Sequence, residues 1–81
     1  MTVNVHFFAL ARDLAGNDTL SIDLPEDATV ADLRTALADQ VPKLKPILPQ
    51  LFIALGENCV DDLTPLYSGA SVACFPPVSG G

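Results

Sequence analysis

The architecture of this 81-residue chain follows from its last segment, Ser71-Val72-Ala73-Cys74-Phe75-Pro76-Pro77-Val78-Ser79-Gly80-Gly81. Its first half alternates Val72 and Cys74 with Ala73 and Phe75, and this period of two predicts a strand with one face in the core. Pro76 and Pro77 remove two backbone donors and stiffen the chain as it leaves the sheet. We therefore expect one domain of residues 1–75 and an extended tail of residues 76–81.

The tail ends in Gly80 and Gly81, which places a carboxylate on a residue without a Cβ. Because glycine has no side chain to block an approaching group, this carboxylate can enter a narrow pocket and be activated there. Activation with ATP gives an acyl-adenylate, which a sulfur nucleophile converts to a thiocarboxylate and a lysine amine converts to an isopeptide. A disordered terminus or an expression scar is the simpler alternative. The residues alone leave these outcomes open.

Upstream of the tail, the hydrophobic pattern predicts five strands and one main helix. The helix begins at Thr29, an N-cap residue with Asp32 in the capping-box position, and Pro42 limits it to about three turns. A shorter helical segment is predicted before Gly16. The predicted strands cover residues 3–8, 19–24, 51–55, 59–60 and 71–75.

This order of elements predicts an α+β fold of the ubiquitin-like β-grasp type. We expect a mixed sheet of four to five strands, one main helix across one face, and a flexible C-terminal Gly-Gly tail. The first and last strands should be parallel neighbours at the centre of the sheet.

The composition excludes several classes of protein. Ten acidic residues against four basic ones give a net charge of −6, which disfavours nucleic acid because its phosphates require Lys and Arg. No apolar run reaches the ~20 residues that span a bilayer, and the N-terminus lacks the features of a signal peptide. We therefore expect a cytoplasmic protein with reduced thiols. With His6 as its single histidine, the chain offers no zinc ligand set.

The sequence contains no set of side chains that suggests catalysis by the chain itself. His6 lies at an outward strand position and is interpreted as a surface or interface residue. Cys74 alternates with Val72 and is interpreted as a core residue, whereas the role of Cys59 beside a turn stays open. We therefore expect no stably bound cofactor and no metal site.

Two aromatic residues predict an interface beside the tail. Phe8 and Phe75 fall on the face opposite the predicted core, and they lie close together if the first and last strands are neighbours. Exposed apolar patches usually mark interfaces, where aromatic residues are favoured anchors. A shift of register by one residue would reverse both faces and bury the two rings instead.

Two segments together carry a family resemblance. Phe7-Phe8-Ala9-Leu10-Ala11-Arg12-Asp13-Leu14-Ala15-Gly16 resembles the Phe-Phe-Ala…Arg…Leu…Gly signature near the N-terminus of the small subunit of molybdopterin synthase (the MoaD family). The tail is similar to that family's terminal Phe-Pro-Pro-Val-Ser/Thr-Gly-Gly. Sibling sulfur carriers share the Gly-Gly but usually lack the preceding Phe-Pro-Pro-Val, so the tail is the more specific of the two motifs.

The resemblance implies a carrier chemistry centred on Gly81. A partner activating enzyme would use ATP to convert Gly81 to a glycyl adenylate, and sulfur would then give the thiocarboxylate, a C-terminal 1-thioglycine. The tail residues Pro76, Pro77, Val78, Ser79 and Gly80 would insert into the large catalytic subunit of molybdopterin synthase. Sulfur would pass to cyclic pyranopterin monophosphate and build the molybdopterin dithiolene of the molybdenum cofactor.

The resemblance also implies partner contacts and an assembly. Phe8, Cys59 and Phe75 match family positions at the partner interface, and Arg12 matches the signature arginine, which would serve a partner contact or a local salt bridge. The family assembles as a heterotetramer with two copies of each subunit. Position 59 is commonly a larger aliphatic residue and position 74 is often aromatic, so Cys59 and Cys74 depart from the pattern.

Three alternatives stand beside this interpretation. The chain could be a sulfur carrier of the same fold that serves thiamine synthesis or tRNA thiolation. It could be a ubiquitin-like protein modifier that joins lysines, or an interaction domain with an incidental Gly-Gly end.

Overall fold

The computed structural model describes residues 1–77, so the predicted tail residues Val78, Ser79, Gly80 and Gly81 lie outside the described residues. Two helices and five strands follow each other along this part of the chain. They are β1 (Thr2–Phe7), α1 (Leu10–Ala15), β2 (Thr19–Asp23), α2 (Val30–Gln40), β3 (Phe52–Leu55), β4 (Asn58–Val60) and β5 (Ser71–Phe75). Two short 3₁₀ turns, Pro42–Leu44 and Leu48–Gln50, connect α2 to β3.

The five strands form one mixed sheet in the order β2-β1-β5-β3-β4. β1 and β5 are parallel neighbours, with Val5 opposite Val72 and Phe7 opposite Cys74. The other three pairs are antiparallel. The first and last strands therefore lie side by side near the middle of the sheet, and the topology is the predicted β-grasp.

Helix α2 covers one face of the sheet, which we call the inner face. The Thr29 N–H donates to the Asp32 carboxylate at 2.9 Å, which fixes the start of the helix as the sequence predicts. Val30, Leu33 and Leu37 of α2 are fully buried. The largest fully buried side chains of the core are Phe7, Ile22, Leu33, Leu37, Leu44, Leu51, Ile53, Val3, Val5, Val30, Val72 and Cys74.

The proline-rich connection is more ordered than an irregular loop. Its two 3₁₀ turns bury Leu44 and Leu48 against the core. Arg34 of α2 joins this connection to the loop after β4, because its guanidinium donates to the Leu48 carbonyl and, at 2.8 Å, to the Asp62 carboxylate. In the part of the chain that the structure describes, no helix has the length and apolarity needed to cross a membrane.

Candidate functional site

The face of the sheet opposite α2, which we call the outer face, carries an aromatic row. Phe52 and Phe75 are directly opposite in the β3–β5 pair, with ring centroids 5.8 Å apart and the rings tilted by 34°. Beside them, the Phe8 N–H donates to the Cys74 carbonyl at 3.1 Å. Phe8 and Phe52 remain 51% and 47% exposed, whereas Phe75 is half-buried. The row therefore presents apolar surface where the chain leaves the sheet.

A second row of outer-face side chains lies next to the aromatic row, two residues away along the strands. The registers place His6, Ala73, Ala54 and Cys59 side by side across β1, β5, β3 and β4. The two central alanines make this row shallow between the flanking side chains. His6 Nδ1 and the Thr19 hydroxyl are hydrogen-bonded at 3.2 Å, and the Cys59 thiol is exposed and free.

The turn between β1 and α1 contains an unusual backbone conformation at Ala9. Ala9 has φ 54° and ψ −130°, a combination that a Cβ disfavours and that glycine adopts more readily. Its carbonyl accepts the N–H of Asp13 at 3.1 Å, while the preceding N–H, that of Phe8, still bonds to β5. The chain thus passes from strand β1 to helix α1 through the backbone conformation of Ala9, which lies between the exposed residues Phe8 and Leu10.

Arg12 lies on α1, at the same end of the sheet as the end of β5. Its Nε is 3.8 Å from the Asp18 carboxylate and 3.9 Å from that of Asp13. The Arg12 side chain is 55% exposed, and exposed ion pairs of this kind contribute little to stability. The guanidinium is therefore accessible to a partner at this end of the molecule.

Cys74 lies directly beneath the aromatic row, on the inner face of β5. It is 0% exposed, and burial raises the pKa of its thiol from 9.0 to about 12, although Arg34 has a smaller opposite effect. The thiolate is the nucleophilic form of cysteine. A thiol held protonated next to the tail is therefore inert, as expected for a core residue.

The structure brings most of the predicted interface residues together. Phe8, Phe75 and Cys59 share the outer face, and Arg12 lies at the edge where β5 ends. Pro76 and Pro77 follow β5 directly, whereas the predicted roles of Val78, Ser79, Gly80 and Gly81 fall outside the described residues. Phe52 was not among the predicted site residues. Its alternation with Ile53 is a signal for an outward aromatic residue, but its pairing with Phe75 requires the β3–β5 register.

Known proteins resemble this chain over nearly its whole length. The ThiS family model matches residues 5–81. The molybdopterin synthase sulfur carrier subunit of Drosophila yakuba is 38% identical over 84 aligned residues, covering 98% of this chain and 92% of the relative.

Two solved structures share the fold in full. The small archaeal modifier protein 1 (SAMP1) of Haloferax volcanii superposes with a TM-score of 0.91 at 27% identity, covering 100% of both chains. In the Helicobacter pylori complex of subunits 1 and 2 of molybdopterin-converting factor, the matching chain gives a TM-score of 0.73 at 32% identity, again with full coverage of both chains.

The fold and the outer face thus define a small β-grasp protein whose last strand ends beside an exposed apolar surface. Because the family model spans residues 5–81, the chain belongs to the ThiS family.

Proposed function

We propose that this chain is the sulfur carrier subunit of a molybdopterin synthase. The observation that carries the proposal is the aromatic row at the end of β5, where Phe8, Phe52 and Phe75 offer an apolar docking surface beside the first residues of the tail. The identity with molybdopterin synthase sulfur carrier subunits supports the same function. The likeness to one chain of a two-subunit complex supports a large subunit as the partner.

The proposed chemistry takes place at Gly81, whereas the described domain supplies docking. The Gly81 carboxylate attacks the α-phosphate of ATP in an activating enzyme, and pyrophosphate leaves. A sulfur nucleophile then displaces AMP and gives the thiocarboxylate. The carrier docks through its outer face on the large catalytic subunit, in a heterotetramer with two copies of each subunit. The thiocarboxylate sulfur of Gly81 forms a bond to a carbon of cyclic pyranopterin monophosphate, water cleaves the acyl–sulfur bond, and Gly81 returns to the carboxylate.

We further propose that the protein acts in the cytoplasm. Cys59 is an exposed free thiol, and Cys74 is a free thiol on the opposite face of the sheet. An exposed unpaired thiol is suited to a reducing compartment.

The intact mass of the protein tests the carrier chemistry. Incubation with ATP, a cognate activating enzyme and a sulfur donor should increase the mass by the difference between sulfur and oxygen. Deletion of Gly81 should abolish the gain. Leu63→Ala is the matched control, because Leu63 is an 83% exposed apolar residue outside the aromatic row, and it should gain mass like the original chain. An unchanged mass with an active enzyme would remove the sulfur-carrier function.

The acceptor of the sulfur separates the proposal from its nearest alternative. Thiocarboxylated protein mixed with the large subunit and cyclic pyranopterin monophosphate should yield molybdopterin. If this mixture yields no molybdopterin but the protein supports thiamine synthesis or tRNA thiolation, the chain is a carrier for that pathway.

A second candidate function is protein modification, which the full-length likeness to small archaeal modifier protein 1 favours. The same adenylate would then be attacked by a lysine amine of a target protein. This function predicts conjugates of higher mass on immunoblots of the source cell. If deletion of Gly81 leaves such bands in place, they are not conjugates through this residue.

A further inference from the structure

Within residues 1–77, Phe75 is the last residue that pairs with a neighbouring strand. On the β3 side, Phe75 is opposite Phe52. On the β1 side, the Phe8 N–H bonds to the Cys74 carbonyl at 3.1 Å. Pro76 and Pro77 have no N–H, so neither can donate a further bond to the neighbouring strands. The backbone orientation at Phe75 therefore sets the direction in which the chain leaves the domain.

Among residues 1–77, the Phe75 ring forms one aromatic pair, with the ring of Phe52. The 5.8 Å separation from the Phe52 ring lies in the range of favourable aromatic pairs, about 4.5–7 Å. The neighbouring outer-face residues of β5 and β3 are Ala73 and Ala54, whose methyl groups cannot replace an aromatic ring. Among the described residues, Phe52 is therefore the aromatic side chain that packs on Phe75 across the β3–β5 pair, and this contact resists twisting of the end of β5 from which the tail departs.

Small changes at Phe75 become large at the end of the chain. If the partner holds the six residues that follow Phe75 extended, they span about 20 Å, and a rotation of about 10° at their base would displace their end by about 3 Å. Reacting atoms must be placed much more accurately than this, since an error of about 1 Å can cost about a hundredfold in rate.

From these observations we propose that Phe52 is a positioning residue for sulfur transfer. Its ring holds Phe75 and thereby fixes the direction in which the tail enters the partner's active site. The inference rests on the proposed function. Beyond its place in the docking surface, it assigns to Phe52 an effect on the rate of transfer within the complex, which remains when the large subunit is saturating.

The test measures binding and transfer separately. The original chain, Phe52→Ala and Phe52→Tyr are each prepared as thiocarboxylates and mixed with purified large subunit and cyclic pyranopterin monophosphate. Titration gives the Kd for the large subunit, and a single turnover at saturating large subunit gives the transfer rate. We expect Phe52→Ala to lower the saturating rate about tenfold or more and Phe52→Tyr, which retains the ring, to restore it.

Two further variants guard against trivial explanations. Leu63→Ala removes another exposed apolar side chain (83% exposed) and should transfer sulfur at the original rate. Phe52→Leu keeps apolar bulk without the ring and replaces Phe52→Ala if that variant is unfolded at the assay temperature, with the same loss of rate expected.

Each other outcome overturns the inference in a distinguishable way. An unchanged saturating rate in Phe52→Ala removes the positioning role. A weaker Kd with an unchanged saturating rate limits Phe52 to a docking contact and removes the positioning role. If the original thiocarboxylated chain itself transfers no sulfur, the proposed function fails, and the positioning role fails with it.

Discussion

The two faces of the sheet are built by the same strands, yet they differ in how completely they are covered. On the inner face, Val5, Val72 and Cys74 are 0% exposed, whereas Phe8 and Phe52 on the outer face are about half exposed, at 51% and 47%. Apolar area contributes to folding only to the extent that folding removes it from water. The difference assigns stability to the inner face and, under the proposed function, leaves the outer face for recognition of the large subunit.

Leu33→Ala tests the inner face and should have the largest effect. Leu33 is 0% exposed in α2, so truncation removes buried methyl groups and leaves a cavity, at a cost of about 2–5 kcal/mol in the free energy of unfolding. Urea denaturation followed by circular dichroism measures this loss. Leu63→Ala, at an 83% exposed position, should change the value by less than about 0.5 kcal/mol. Equal losses in the two variants would contradict the division of roles.

Phe8→Ala tests the outer face. Truncation of an exposed aromatic anchor should weaken binding of the large subunit by about 2 kcal/mol, roughly 30-fold in Kd, because the proposed complex would bury the exposed part of the ring. Its effect on unfolding should stay below about 1 kcal/mol, since the side chain is 51% exposed in the free protein. Isothermal titration calorimetry and urea denaturation measure the two quantities. Unaltered affinity, or a loss of stability as large as that of Leu33→Ala, would show that recognition is not confined to this face.

Cys74 makes the inner face sensitive to alkaline pH. Because burial raises the pKa of this thiol from 9.0 to about 12, the unfolded chain loses the proton at lower pH than the folded chain. The free energy of unfolding is therefore unaffected by this group below pH 9 and decreases as pH rises from 9 towards 12. The loss should reach about 1.4 kcal/mol at pH 10.

Urea denaturation at pH 8 and pH 10 measures this contribution when the original chain is compared with Cys74→Ala. The variant loses buried volume at both pH values but has no thiol to ionise, so its decrease between them should be smaller by about 1.4 kcal/mol. The same decrease in both proteins would mean that Cys74 is not the titrating group.

Ala9→Gly tests the turn between β1 and α1, and its effect on the free energy of unfolding should be the smallest of these predictions. Glycine relieves the strain of φ 54° and ψ −130°, so the free energy of unfolding should rise by up to about 1 kcal/mol despite the greater entropy of the unfolded chain. Ala15→Gly makes the same change within helix α1 and should instead cost about 0.5–1 kcal/mol. A loss in both variants would mean that Ala9 carries no strain. Thermal unfolding compares the two.

Local patterns predict the parts of this fold that depend on neighbours in sequence. Thr29 and Asp32 are three residues apart, so the start of α2 can be inferred without knowledge of the rest of the chain. The alternation around Val72 and Cys74 likewise separates the two faces of β5. The tail motif and the outward positions of Phe8 and Phe75 gave the candidate interface in the same way.

The structural features that the sequence patterns do not predict depend on residues far apart in sequence. The Phe52–Phe75 pair arises from strand register, and the Arg34–Asp62 ion pair joins residues 28 positions apart. The backbone of Ala9 is set by the simultaneous demands of β5 and α1, and alanine alone gives no sign of a positive φ. The 3₁₀ turns of residues 42–50 form because they allow Leu44 and Leu48 to be buried in the core.

The place of β5 between β1 and β3 has a consequence for biosynthesis. During translation β5 emerges after every other strand of the sheet, and until it arrives β1 and β3 each have an unpaired edge. Closing the chain between its first and last strands also carries the entropy cost of a long loop. A nascent chain that stops before residue 71 would leave two strand edges open to aggregation or proteolysis. Completion of the sheet is thereby coupled to synthesis of the strand that leads into the tail.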